Sequence, residues 1–340
     1  MTKHFEVDFT NMSTLVSFQG YLTRYGMTTY LILGNFGNLF NIMIFCQLSH
    51  RKNSCSLYLL MASIMNIFTL NFGIIPTLYS LDYPNPELTS IVFCKLRLYL
   101  LHSSLMISRS MIVLACIDRF AVSSCSKYLH RFGRPKIAIY LIIFFTCFWP
   151  ISASHILVLL TIKFQRCTAF GKYSLIYSIY SFLVAGVLPP TLMIIFGCLT
   201  IRNLRHIHAR IRPNIIRFDH NHRKDYYLTV MLICEVCIYF ISTLPYPIQT
   251  LYLTVTRNTV KTVDRLEIEG FLTFLAYSFL IYINSASTFY IYLCTSRAFR
   301  RQCRRLLKRY WKRIICSTNE RQTLEYRYSP SRRQQHTTFV

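Results

Sequence analysis

The chain has 340 residues, of which 53% are hydrophobic, 15% aromatic and only 15% charged. A water-soluble domain of this size carries more charge. Its formal net charge is +25, from 38 Lys and Arg against 13 Asp and Glu, a balance that in a soluble chain would suggest a nucleic-acid binder. The arrangement of the apolar residues excludes that reading. They fall into seven runs, near 27–48, 57–79, 96–117, 137–161, 174–201, 226–254 and 268–294. Each run is long enough to cross hydrocarbon as a tilted helix. Strand spans would be shorter and would alternate, and these runs do not. Backbone in lipid must satisfy its own hydrogen bonds, so the expected fold is an all-α, seven-span helix bundle.

In chain order, residues 1–26 carry Lys3, Glu6, Asp8 and Arg24 and lack a compact apolar core followed by a small-residue cleavage site. The first span is therefore expected to serve as its own insertion signal. Asn11-Met12-Ser13 is a glycosylation sequon. The bundle is expected over 27–295. Its first span holds Gly37-Asn38 and its second Asn66. The third is framed by Cys94 and by Asp118-Arg119-Phe120. The 25 residues from Cys94 to Arg119 would rise roughly 37 Å as a helix, a full bilayer crossing. The fifth span contains Pro189-Pro190, the sixth Pro245, and the seventh Tyr282, Asn284, Thr288 and Tyr292.

After the last span, residues 296–313 place Phe299, Leu306, Leu307, Tyr310 and Trp311 among arginines at helical spacing. This predicts an amphipathic helix lying on the membrane surface. Residues 314–340 are polar and rich in Ser and Thr, which predicts a disordered tail open to kinases.

Charge fixes the expected orientation. With the N-terminus outside, 27 of the 38 basic residues fall on the cytoplasmic side, ten outside and one within a span. This is the positive-inside asymmetry of a multi-pass membrane protein, and it makes anionic lipid rather than nucleic acid the partner of the charge. In this topology only Cys94 and Cys167, among 13 cysteines, sit at the oxidising outer face, which implies one disulfide. Cys303 and Cys316, in the basic segment after the last span, are candidate palmitoylation sites or plain free thiols.

The motifs occur together and in register, and over roughly residues 25 to 313 the chain resembles a rhodopsin-family (class A) G protein-coupled receptor, most of all the invertebrate neuropeptide receptors. The resemblance is carried by Gly37-Asn38, the Cys94 and Cys167 pair, Asp118-Arg119-Phe120 with Phe for the family's Tyr, the prolines at 189–190 and 245, and Tyr292 seven residues before Phe299. It implies that an extracellular ligand binds among the outer halves of the helices. The sixth helix then swings outward, and the opened cavity receives a heterotrimeric G protein. Arg119 would face that protein, with Asp118 holding it at rest. Receptor kinases and arrestin would act at the tail.

Departures from the family pattern are plain. Asn66 stands where the family keeps a sodium-binding aspartate, no tryptophan precedes Pro245, and the seventh span reads Thr288-Phe289-Tyr290-Ile291-Tyr292 without its proline. Poor sodium modulation and a straighter seventh helix are expected. The resemblance also narrows the ligand. Leu101 stands where amine receptors keep an aspartate, and Tyr282 where opsins attach retinal. What remains is a pocket edged by Lys95, Arg97 and His102, with Glu267 and Glu269 above the seventh span. That pocket reads as one for a peptide, against the alternative that these charges only mark helix ends.

Charge inside a span is costly and therefore informative. Arg109 lies ten residues before Arg119, and Glu235 ten residues after Asp225 on an antiparallel helix, so each stands about 15 Å from its reference. Two stacked ion pairs are expected, Arg119–Asp225 and Arg109–Glu235. The competing arrangement keeps Glu235 protonated and bonded to Thr288, Tyr292 or Asn284, with Arg109 reaching a carbonyl. Asn38, Asn66, Asn284 and Thr288 form the expected polar core. His102 and His155 read as neutral histidines bonded to a neighbouring helix. No metal site, cofactor or nucleophile–base set is expected, so an enzyme is not the reading. Two alternatives stay open: a transporter using Arg109 and Glu235 along its pathway, and an atypical receptor that couples poorly.

Overall fold

The computed structural model describes residues 15–51, 53–124, 126–163, 166–210 and 219–311. Asn11, Cys316 and the tail 314–340 lie outside the described residues, as does the side chain of Asp225. The described residues form eight principal helices. These are α1 (15–45), α2 (Ser54–Tyr79), α3 (Ile91–Ser123), α4 (Pro135–Leu159), α5 (Lys172–Arg205), α6 (Asp219–Thr243, then Pro245–Val255), α7 (Val263–Thr295) and α8 (297–311). Between α4 and α5 a two-stranded hairpin, β1 (Thr161–Lys163) and β2 (Arg166–Thr168), pairs Ile162 with Cys167. That segment reads from the sequence as a plain loop.

The helix ends follow local chemistry. Asn53 caps α2 by accepting from the Cys55 amide at 3.1 Å, and Ser90 caps α3 by accepting from the Phe93 amide at 3.3 Å. Pro135 opens α4 at a position where its missing N–H costs nothing. Pro245 divides α6 after Thr243. Three segments run as π-helix within the long helices, Leu22–Met27 in α1, Ser181–Val187 in α5 and Leu275–Phe279 in α7. The last is followed by a 3-10 turn, Leu280–Tyr282. The seventh helix is thus irregular without a proline, where a straighter one was expected.

Among the described residues six helices, α2 to α7, are long and apolar enough to cross a membrane, which fits a multi-pass all-α membrane protein. Over its most apolar stretch α3 is 72% buried and α4 only 17%, so α3 is the central post and α4 the periphery. Large apolar side chains cover the outside of the bundle, among them Tyr140, Ile143, Phe144 and Ile151 of α4. Such a surface suits lipid and is foreign to water. α1 is not among the six, because Asn35, Asn38 and Asn41 dilute its apolar content.

Small residues let the helices close up. A Cβ on Gly34 would lie 3.0 Å from the Ala286 backbone, so α1 and α7 touch at backbone distance. Among the described residues the core divides into a cluster toward the Arg119 end, around Met106, Met111, Met193, Met231 and Tyr292, one toward the Cys94 end, around Leu70, Ile74, Leu105 and Tyr282, and a small one of Ala153, Ile156, Leu160 and Ala169.

Candidate functional site

At one end of α3 the Cys94 sulfur is bonded to Cys167 of β2, with Cα atoms 5.9 Å apart. At the other end, Asp118 and Arg119 are both buried. Arg119 Nη2 and Nε donate to Asp118 Oδ2 at 2.5 and 3.1 Å, and Nη2 also reaches Asn53 Oδ1 at 3.2 Å. The Ser54 hydroxyl donates to Asp118 Oδ1. Phe120 packs its ring 5.6 Å from that of Phe196 of α5. A small cavity of about 10 Å³, room for about one water molecule, borders Arg119, lined by Cys116 of α3, Met193 and Gly197 of α5, and Thr229 and Leu232 of α6.

The expected Arg109–Glu235 ion pair is absent, and this corrects the sequence reading. Glu235 Oε2 instead accepts a hydrogen bond from Tyr292 of α7 at 2.7 Å, while its Oε1 has no partner. Arg109 Nη1 donates to the Ala185 carbonyl of α5 at 3.3 Å, and its guanidinium lies 5.3 Å from the centre of the Tyr239 ring. The physical reason is register and rotation. Arg109 meets α6 at Tyr239, four residues and about 6 Å beyond Glu235. Glu235, one turn earlier and a few tens of degrees round the axis, turns its carboxyl to Tyr292 of α7. The competing arrangement, a carboxyl on Tyr292 and an arginine on a carbonyl, describes the contacts that form.

The polar core joins four helices. Asn38 Nδ2 donates to the Ser285 carbonyl at 2.9 Å, and Asn66 Nδ2 lies 3.4 Å from both Asn38 Oδ1 and Thr288 Oγ1. Ser108 of α3 completes it by donating to Asn66 Oδ1 at 2.7 Å. Asn284 does not join: its backbone carbonyl accepts from Thr288, but its side-chain oxygen has no partner. Ser108 was not anticipated, since a serine on an apolar helix gives no signal beyond its spacing.

Toward the Cys94 end the expected ligand pocket is altered. Arg97 is not free to meet a ligand. It pairs with Glu87 at 2.6 Å and donates to the Gly73 carbonyl at 2.6 Å, Thr77 Oγ1 at 2.8 Å and the Phe72 carbonyl at 3.2 Å. Tyr282 is buried against Gly73, whose missing side chain makes its room, and Leu101 packs on the same cluster. Glu269 is likewise engaged, by Lys261 at 2.5 Å, Arg265 at 3.0 Å and the Tyr252 hydroxyl at 2.7 Å.

The histidines are bonded to a neighbouring helix, as their positions suggest. His102 Nε2 lies 3.1 Å from the Tyr180 hydroxyl and His155 Nδ1 2.7 Å from that of Tyr173, both on α5. They belong to a belt of phenols that the sequence reading missed. Tyr177 and Tyr246 share a hydrogen bond of 3.1 Å, and the Tyr246 and Tyr277 rings lie 4.7 Å apart. The count of 24 tyrosines was visible, but their convergence from α5, α6 and α7 was not.

Cys303 is buried in the core cluster with Phe299 and Leu306, so its thiol faces the bundle instead of an acyl donor. Burial also pushes this thiol's pKa up, away from the reactive thiolate. Among the described residues no group of three or more His, Cys, Asp or Glu could hold a metal ion. No protein-family model matches the chain, and a search of curated proteins returned no match.

Proposed function

We propose that this chain is a rhodopsin-like G protein-coupled receptor of the plasma membrane that binds an extracellular peptide and activates a heterotrimeric G protein. One observation carries the reading: a buried Asp118–Arg119 pair borders a cavity between α3, α5 and α6 at the opposite end of α3 from the Cys94–Cys167 bond. That arrangement supplies what a transducer needs. The cation is held at rest by its neighbour, the space beside it is already begun, and outward movement of α6 would enlarge it. Pro245 and the interruption after Thr243 give α6 a place to bend.

On this reading α1 is the first of seven spans. Its buried face carries Asn38 and Asn41 into the bundle, while Ile32, Leu33, Phe36 and Leu39 face outward to lipid. Two of the asparagines that lower its apolar content are thus shielded from hydrocarbon, and the half-buried Asn35 accepts from Asn71 of α2 at 3.0 Å. α8 lies along the inner surface, with Phe299, Cys303 and Leu306 turned to the bundle and Leu307, Tyr310 and Trp311 outward among the arginines. The N-terminus is outside, and epitope tags on the two termini fall on opposite faces of the membrane.

Peptide is the ligand class because Arg97 and Glu269 at the rim are paired within the chain and the outer half is lined with phenols and imidazoles, which offer hydrogen bonds and ring surface. The test is a neuropeptide library screened on cells expressing the full chain, with nucleotide exchange on G proteins as the readout. At least one peptide drives exchange, Asp118→Asn raises exchange without peptide, and Arg119→Ala removes the response. Silence with every peptide, together with unchanged basal exchange in Asp118→Asn, overturns the proposal.

A further inference from the structure

The carbonyl of Ala185 has no donor within its own helix. In an α-helix its partner would be the amide of residue 189, and in a π-helix that of residue 190, but both are prolines. The remaining neighbour, the Leu188 amide, is spent on the Leu183 carbonyl. Ala185 is 2% exposed, so water does not serve it. An orphaned carbonyl at this depth costs free energy unless another element supplies a donor.

Two elements do. The Tyr239 hydroxyl of α6 donates to it at 2.9 Å and Arg109 Nη1 of α3 at 3.3 Å. The guanidinium also lies against the Tyr239 ring, 5.3 Å from its centre. One backbone oxygen therefore joins three helices. Tyr239 stands four residues before Thr243, where α6 is interrupted.

We propose that the Ala185 carbonyl, orphaned by Pro189 and Pro190, anchors a three-helix latch in which Tyr239 and Arg109 hold α6 against α3 and α5. The latch explains why a cation and a tyrosine occupy positions on α3 and α6 that would otherwise be filled by apolar packing. Its opening during activation rests on the receptor reading, but its hold on α6 does not.

The test exploits the prolines. Pro189→Ala gives α5 an amide that can serve Ala185, which makes the Tyr239 hydroxyl redundant. The full chain and its variants are purified in phospholipid nanodiscs. Their thermal midpoints are read by size-exclusion with tryptophan fluorescence, a measurement that needs no ligand and no transducer. Tyr239→Phe keeps the ring and lowers the midpoint by roughly 2–4 °C. In the Pro189→Ala background the same change costs little. Equal losses in both backgrounds overturn the latch. Should Pro189→Ala yield no folded protein, Pro190→Ala takes its place, since its amide reaches Ala185 in the π register, and equal losses there are equally fatal. An unchanged midpoint for Tyr239→Phe alone rejects the latch without either proline variant.

Discussion

Arg97 and Arg109 stand twelve residues apart on α3, and they meet the same problem with different means. Arg97 faces α2, where Pro76 has no amide for the Phe72 carbonyl, and Arg97 Nε donates to it at 3.2 Å. Arg109 faces α5, where Pro189 and Pro190 orphan Ala185. In both places an arginine from the central helix closes a gap that a proline opened in its neighbour. Near the rim Arg97 also finds a carboxylate, Glu87. In the middle Arg109 finds a phenol ring, although Glu235 lies one turn away on the same helix as that ring. The difference teaches that a charge in the bundle takes the partner its rotation offers, even when an opposite charge sits at nearly the right depth. Glu235 obeys the same rule with Tyr292.

The sharpest way to break this comparison is to exchange the mid-bundle charges. Arg109→Glu with Glu235→Arg strands both groups, each at a cost of several kcal/mol, and the double variant gives no more folded protein at the cell surface than either single change. Recovery in the double variant would mean the two groups pair after all.

Removing the rim arginine comes next. Arg97→Met leaves Glu87 unpaired and the Phe72 and Gly73 carbonyls short of a donor, at about 2–3 kcal/mol, read as a lowered thermal midpoint. Glu235→Leu leaves the Tyr292 hydroxyl unpaired and costs about 1–2 kcal/mol, whereas Glu235→Gln keeps an acceptor and loses less. Equal losses for Leu and Gln would show that the Tyr292 bond contributes nothing. The smallest effect belongs to the exposed pair at the same rim, Arg24–Asp82, with side chains 54% and 59% exposed. Arg24→Ala changes stability by less than about 0.5 kcal/mol, and that small loss shrinks further in high salt.

Much of this was legible in the sequence. The seven apolar runs correspond to α1 through α7, because a run of 20 or more apolar residues has few stable alternatives in lipid. Of the four residues assigned to one polar core, Asn38, Asn66 and Thr288 meet there and the Asn284 side chain does not. The disulfide partners followed from which cysteines flank the runs. The prolines, too, announced where a carbonyl would be left over.

What the residues alone could not disclose was which side chain would reach that carbonyl. Pro189 and Pro190 are a local fact, but Tyr239 and Arg109 come from two other helices, 54 and 76 residues distant in sequence. Depth along a helix is counted in residues, so composition and spacing determined the spans and the level of each charge. Direction around the axis is settled only when the helices pack, because a few tens of degrees of rotation exchange a carboxylate for a phenol. That is why the pairing of Glu235 with Tyr292, the sealing of Arg97 and the joint at Ala185 were decided by the tertiary structure.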